Sequence, residues 1–176
     1  MRAMYLMISL QQGEPYAGWA DQYTVDDLKP AHARSYEPRS VNTGTTVRLV
    51  NLMMDYYKLT ADTRFLSGIP AAIRFLESMK LPESDVKKWK SQSTNPEAIL
   101  VPRFVDPDTG KPLYVHRKGS NVKNGTYYID QNIENTIAHY NSATFVNPGE
   151  LRRRYEEVKK LPVSELAKNS PLLQDH

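Results

Sequence analysis

Apolar positions recur with a helical period in four stretches of this chain and with a strand-like period in one. In residues 1–11, Met1, Met4, Tyr5, Ile8 and Leu10 form a stripe broken by Arg2, Ser9 and Gln11, which predicts a helix. Residues 43–59 carry a wide apolar face that includes Val50, Met53, Met54 and Tyr57, with Arg48, Asn51 and Asp55 opposite, and this predicts a deeply packed helix. Residues 65–79 repeat the pattern through Ile69, Ala72, Ile73, Phe75, Leu76 and Met79. Within them Gly68-Ile69-Pro70 predicts a kink or restart, since Pro is accommodated only near a helix start. The short break at Thr60-Ala61-Asp62 makes these two helices an antiparallel hairpin. Asn147-Pro148-Gly149-Glu150 offers an Asn cap, Pro at the first position and an early Glu, so a fourth helix runs to about residue 161.

The period shortens at residue 99. Residues 99–105 and 113–117 are rich in β-formers and flank Asp106-Pro107-Asp108-Thr109-Gly110-Lys111-Pro112, a turn-forming stretch, so they predict a β-hairpin. Residues 126–129 read as a short strand and 132–140 as a helical turn or an ordered loop. Residues 82–98 read as a polar loop, 119–125 as another, and 170–176 as a frayed end. The expected architecture is mainly α, built from stacked helical hairpins with one small inserted β-hairpin. Helix pairs stacked side by side give solenoids or closed α/α toroids. No second copy of the hairpin occurs, so a repeat is not demonstrated.

Composition narrows the class. At 176 residues the chain reads as one domain spanning 1–176, and 40% apolar with 24% charged residues suits a soluble globular fold. Its 23 basic and 20 acidic residues leave a net charge of only +3, and the basic residues are scattered. That fits an anionic partner but supplies no stripe for nucleic acid. Lys87-Lys88-Trp89-Lys90 and Arg152-Arg153-Arg154 read as solvated faces. Without cysteine there is no disulfide, thiolate nucleophile or Cys-type metal site. No apolar run approaches a membrane span. The opening stretch carries Arg2 ahead of apolar residues, but no small-residue cleavage site follows at signal-peptide distance. A chain that starts in mid-helix reads as a fragment whose upstream part, any export signal included, is missing.

The long connection 12–39 holds the densest chemistry. Gly18-Trp19-Ala20-Asp21-Gln22-Tyr23 and Pro30-Ala31-His32-Ala33-Arg34-Ser35-Tyr36-Glu37-Pro38 place aromatic faces, amides, carboxylates and an Arg between helices. A loop of that length usually has a function, and aromatic, amide and guanidinium groups suit the cleft of a sugar acid. Trp19 and Tyr23 fit either a core or a sugar platform, core being the commoner fate of aromatic residues. Arg34 fits either a structural ion pair with Glu37 or a functional role. Arg103 and Arg117 sit on the two arms of the expected hairpin, about opposite each other. Like charges facing across a strand pair are destabilising, and an anion between them would relieve this. The competing reading shifts the register and leaves both arginines solvated or paired. His32, His116, His139 and His176 lack paired metal spacing. Asp106 to Gly110 resembles half a calcium loop without its remaining acidic positions, and reads as a solvated turn. Ser40, Ser120 or Ser142 with a His is not ordered into a triad by anything in the sequence.

Several of these motifs together resemble the family 10 polysaccharide lyases, the pectate (polygalacturonate) lyases with an α/α toroid fold. They are Gly18 to Tyr23, Lys29 to Pro38, Met53-Met54-Asp55-Tyr56-Tyr57-Lys58-Leu59-Thr60 and Ile69-Pro70-Ala71-Ala72. Lys111 to Arg117 with Gly119-Ser120-Asn121, Glu134 to Ile137 with His139-Tyr140, and the helix from Leu151-Arg152 to Glu157 complete the set, in order along nearly the whole chain. The resemblance implies calcium-assisted β-elimination of polygalacturonate or its oligomers. The proton α to a uronate carboxylate is removed and the 4-linked sugar expelled, so neutralising that carboxylate is the main electrostatic task. By resemblance Arg34 is the base, and Arg103 and Arg117 hold substrate carboxylates. Trp19, Asp21, Gln22, Tyr23 and Tyr36 are the further substrate-binding candidates. A base role requires surroundings that disfavour the charge of Arg34.

Family members carry an upstream half of the toroid, with acidic residues that hold calcium, before the segment corresponding to Met1. The chain is therefore expected to be the C-terminal portion of such a lyase, without calcium ligands of its own. The full-length protein is expected to be exported to the periplasm or beyond and to be monomeric. The isolated chain is expected to be weakly active or inactive. A non-catalytic oligogalacturonate-binding helical module is the alternative, and a helical-repeat scaffold that binds no uronate is a third reading.

Overall fold

A computed structural model describes residues 1–119 and 126–174. Ser120, the rest of the loop 120–125 and His176 lie outside the described residues. Among the described residues the order is α1 (Arg2–Leu10), β1 (Val41–Asn42), α2 (Thr43–Thr60), α3 (Arg64–Ser67), α4 (Ile69–Ser78), α5 (Glu83–Lys88), β2 (Ile99–Pro102), β3 (Phe104–Val105), β4 (Pro112–Lys118), β5 (Thr126–Asp130), β6 (Ala143–Val146), α6 (Pro148–Lys159) and α7 (Val163–Asn169). A 3-10 turn over Pro171–Leu173 follows.

Local chemistry sets the helix ends. Asn42 caps α2 by accepting a hydrogen bond from the Thr45 N–H at 3.1 Å, and Ala61 ends it in the left-handed region at φ 56°. Gly68 separates α3 from α4, the restart that Pro70 demands. Asn147 caps α6 by accepting from the Glu150 N–H at 3.0 Å, with Pro148 in the first turn. The main core lies between these helices: Val50, Met53 and Met54 of α2 meet Ile69, Ile73 and Leu76 of α4, with Leu151 of α6 and Leu166 of α7. Each such side chain contributes about 1.5–3 kcal/mol by burial.

The expectation of a mainly α toroid segment with one β-hairpin is overturned. Among the described residues six strands form two antiparallel sheets, one ordered β1-β3-β4-β5 and the other β2-β6, beside the helices. The reason lies at Arg103. Its backbone N–H donates to the Ser142 carbonyl at 2.7 Å, and its carbonyl accepts from the Thr43 N–H at 3.0 Å. With both groups so engaged, the run 99–105 splits. β2 leaves to pair with β6, and only β3 stays beside β4, with Phe104 opposite Leu113. Arg117 lies opposite Tyr127 on β5, so it does not face Arg103 across a strand pair.

The sheets have their own cores. Trp89 is only 7% exposed and packs with Leu81, Leu100, Tyr114, Ile133 and Ala143. The tryptophan inside the supposed solvated face is therefore an anchor, held by the short helix α5 in the stretch read as a polar loop. The arginines of α6 are also engaged: Arg152 pairs with Glu77 at 2.7 Å and Arg153 with Glu97 at 2.8 Å. A further cluster of Phe104, Val115 and Ile137, flanked by Tyr36, Tyr127 and Tyr140, lies where the long loop crosses the four-stranded sheet. No helix among the described residues is long and apolar enough to cross a membrane.

Candidate functional site

The long loop is pinned before it reaches the sheet. Trp19 is 2% exposed, donates from Nε1 to the Met7 carbonyl at 2.7 Å, and belongs to the main core, so no face of it is open to a sugar. Tyr23 is likewise committed. Its Oη donates to the Leu10 carbonyl at 2.9 Å and accepts from the Ala20 N–H at 2.7 Å, and burial pushes its phenol up to about 12. The Asp21 carboxylate is taken by Asn42 Nδ2 at 2.6 Å and by the Thr45 hydroxyl. Gln22 is exposed, and its carbonyl accepts from the Ala31 N–H. Of the candidates in Gly18 to Tyr23, then, Trp19 and Tyr23 are structural and Asp21 braces the start of α2.

Arg34 and Tyr36 sit on a tight turn closed by the Glu37 N–H donating to the Arg34 carbonyl at 2.8 Å. Glu37 Oε2 accepts from the Arg34 N–H at 3.1 Å and lies 3.9 Å from its Nε. The Arg34 side chain is 71% exposed and donates from Nη1 to Tyr36 Oη at 2.8 Å. That hydrogen bond, then the charges of Tyr36 and Glu37, raise its pKa above the ordinary arginine value. The free chain thus holds Arg34 firmly protonated.

Tyr36 is the hub. Its ring lies 5.4 Å from Tyr127, 5.2 Å from His139 and 5.6 Å from Tyr140. Arg117 stands over the Tyr127 ring at 5.0 Å and donates to its hydroxyl. Arg103 stands over Tyr140 at 5.4 Å, and its Nε is buried with no hydrogen-bond partner among the described residues. Tyr140 in turn stacks on Phe104 at 5.7 Å. Three guanidinium groups from three segments are therefore gathered on one set of aromatic rings. Burial first, then the charges of Asp21 and Glu37, raise the pKa of Tyr140, so its phenol stays neutral. A cluster of arginines with aromatic walls can grip carboxylates through forked hydrogen bonds while sugar faces pack on the rings.

Tyr127, His139 and Tyr140 were missed as site residues by sequence reasoning. The signal available was the His139-Tyr140 pair inside a resemblance motif, but only the fold brings it against Tyr36. His116 is not free for chemistry: it is 3% exposed, with Nε2 2.6 Å from Asp130 Oδ1 and Nδ1 3.2 Å from the Asn135 carbonyl. Asp106 is a turn residue, its Oδ1 accepting from the N–H groups of Asp108 and Thr109. Among the described residues no three carboxylates or imidazoles stand close enough to hold a metal ion, so these residues do not fit a calcium site. A separate cavity of about 430 Å³ against α2 and α7 is lined by Leu59, Leu161 and Leu166. Among the described residues no arginine lines it, and Lys58 there is paired with Asp55 at 3.0 Å, so these residues lack the groups that grip uronates.

Residues 4–141 match the family described as pectic acid lyase, a match that covers more than half of the chain and includes Arg34, Arg103 and Arg117. Among curated proteins none matches the chain.

Proposed function

The chain belongs to the pectic acid lyase family, and from that premise we propose that it binds polygalacturonate and cleaves it by β-elimination. The observation that supports this reading is the gathering of Arg34, Arg103 and Arg117 on the rings of Tyr36, Tyr127 and Tyr140. Arg103 and Arg117 take uronate carboxylates, which lowers the cost of building negative charge at the carbon beside one of them. Arg34 is the base. It takes the proton α to the carboxylate, the freed pair forms a carbon–carbon double bond, and the bond to the 4-linked oxygen breaks. That oxygen leaves with the pair and is protonated by water.

A guanidinium takes a proton only when neutral, and the Tyr36 contact and the Glu37 charge act against that in the free chain. Bound polymer must therefore cover Arg34, strip its water and draw it off Tyr36, because desolvation is what disfavours the charged form. Calcium belongs to the proposal as a cofactor of the whole reaction, held by groups other than the described residues. The proposed substrate places the protein in the periplasm or outside the cell.

The test pairs two measurements, heat of binding with galacturonate oligomers and the new ultraviolet absorbance of unsaturated products with calcium present. Arg103→Ala and Arg117→Ala are each expected to weaken binding about tenfold, the worth of one charge-assisted contact. Arg34→Ala is expected to keep binding and lose whatever turnover the chain has. Equal binding of neutral galactose oligomers would overturn the reading. Uronate binding without turnover in any variant, the unaltered chain included, would leave a non-catalytic binder.

A further inference from the structure

The turn through residues 133–139 stands between two cavities. One, of about 430 Å³, is lined by Arg117 and His139 and so opens from the arginine cluster. The other, of about 340 Å³, is lined by Lys88, Trp89, Lys90 and the carboxylate-bearing Glu134. Asn135 and Thr136 line both. Thr136 is 6% exposed, and its hydroxyl is buried with no partner among the described residues. Buried hydroxyls are rarely left so, and each exception calls for an explanation.

The second cavity is built on a rigid base. The Trp89 indole is packed into the core under β2 and β4, and the Trp89 N–H donates to the Asp85 carbonyl at the end of α5. That anchoring puts the flanking Lys88 and Lys90 at the surface. Lys88 reaches Glu134 only at 3.8 Å, and Lys90 rests over the Trp89 ring at 5.7 Å. Two ammonium groups and the single carboxylate of Glu134 thus border the cavity, so positive charge is in excess there. Its volume falls in the range of small-ligand sites.

We infer that the cavity bordered by Lys88, Lys90 and Thr136 is a further subsite for an acidic sugar unit of the same polymer, beyond the unit gripped by Arg117. The inference rests on the proposed uronate binding. A polymer with one carboxylate per unit that has one unit beside Arg117 extends past Asn135 and Thr136. A further charge of the same polymer then meets the lysine pair. Lys88 and Lys90 supply the electrostatic attraction, and the Thr136 hydroxyl and Asn135 amide supply partners for sugar hydroxyls.

The test measures affinity for galacturonate oligomers of increasing length on the full chain, its Lys88→Gln/Lys90→Gln double variant, and Thr136→Val. Affinity of the unaltered chain is expected to rise with length. In the double variant the shortest bound oligomer is expected to bind as before, while the longer ones lose about fivefold, the worth of two partly exposed ion pairs. Thr136→Val is expected to blunt the same gain with no change in its salt dependence. A length gain that survives in the double variant overturns the subsite and leaves the arginine site standing. Failure of the unaltered chain to bind any galacturonate oligomer overturns the proposed function itself, and the subsite with it.

Discussion

Tyr36 meets Tyr127 edge-on at 5.4 Å and 61°, and each ring carries an arginine from a different segment: Arg34 on Tyr36, Arg117 on Tyr127. The contact joins the loop to β5. It fixes the spacing of two positive charges that would otherwise drift apart in water. Edge-to-face pairs of this kind are worth about 0.5–1.5 kcal/mol beyond burial.

Tyr36→Leu should therefore cost as much oligogalacturonate affinity as removing Arg117, about tenfold, since it takes away the ring against which the Tyr127–Arg117 pair is set. Tyr36→Phe keeps the ring and loses only the acceptor for Arg34 Nη1. It should cost less than about threefold. Titration calorimetry separates the two. Equal losses in both variants would show that the hydroxyl, not the ring, links the arginines.

Arg103 invites a charge-conserving substitution. Its backbone is fixed by Ser142 and Thr43, and its guanidinium lies on Tyr140 with a buried Nε. A lysine there keeps the charge but has neither the planar fork nor the stacking face. Arg103→Lys should fall about tenfold in affinity, close to Arg103→Ala, with an unchanged circular dichroism spectrum. Full rescue by lysine would mean that charge alone is used.

The longer helices α2 and α6 were legible in periodicity or caps, whereas the short α5 and α7 were not, since six or seven residues carry too few turns to show a period. Residues 43–59 were expected and α2 runs Thr43–Thr60; Asn147 was expected to cap and does. The sheet was legible only in part. The β-rich runs around 99–105 and 113–117 mark strands, but the hydrogen bonds that divert β2 to β6 at Arg103 come from Ser142 and Thr43, far away in sequence. For the same reason Arg103 and Arg117 meet through aromatic rings and not across a ladder. Trp19 was ambiguous because an indole suits a core and a sugar equally well, and only its contact with Met7 and its burial decide. The pKa direction of Arg34 was not legible, because it depends on where the Tyr36 hydroxyl points.

Gly18 sits where the loop enters the core, and its place there is steric. A Cβ would lie 2.4 Å from Thr46 Oγ1, 2.6 Å from Val41 Cγ1 and 2.8 Å from Phe75 Cε1. Thr46 accepts from the Trp19 N–H and donates to the Asn42 carbonyl, so it cannot yield without losing both contacts. Gly18→Ala should destabilise by about 1–3 kcal/mol, read as a Tm lower by several degrees. An unchanged Tm would show that the entry to the loop is looser than this packing implies.

Tyr23 predicts an alkaline limit to stability. Its phenol is pushed up to about 12, chiefly by burial, against about 10 in an unfolded chain. The folded state therefore binds this proton more tightly than the unfolded state. The contribution is complete below about pH 10 and fades as pH rises through about 12. Two units correspond to about 2.7 kcal/mol at most, and partial exposure lowers this to about 2 kcal/mol. Tyr23→Phe removes the titration but leaves the Leu10 carbonyl and the Ala20 N–H without their partner. The variant should be less stable at neutral pH by about 1–3 kcal/mol, yet lose less on going from about pH 9 to about pH 11.5. Urea unfolding of both proteins at the two pH values gives the difference directly, because the other tyrosines and lysines titrate alike in each. Parallel losses would show that the Tyr23 hydroxyl titrates in the folded chain as it does in water.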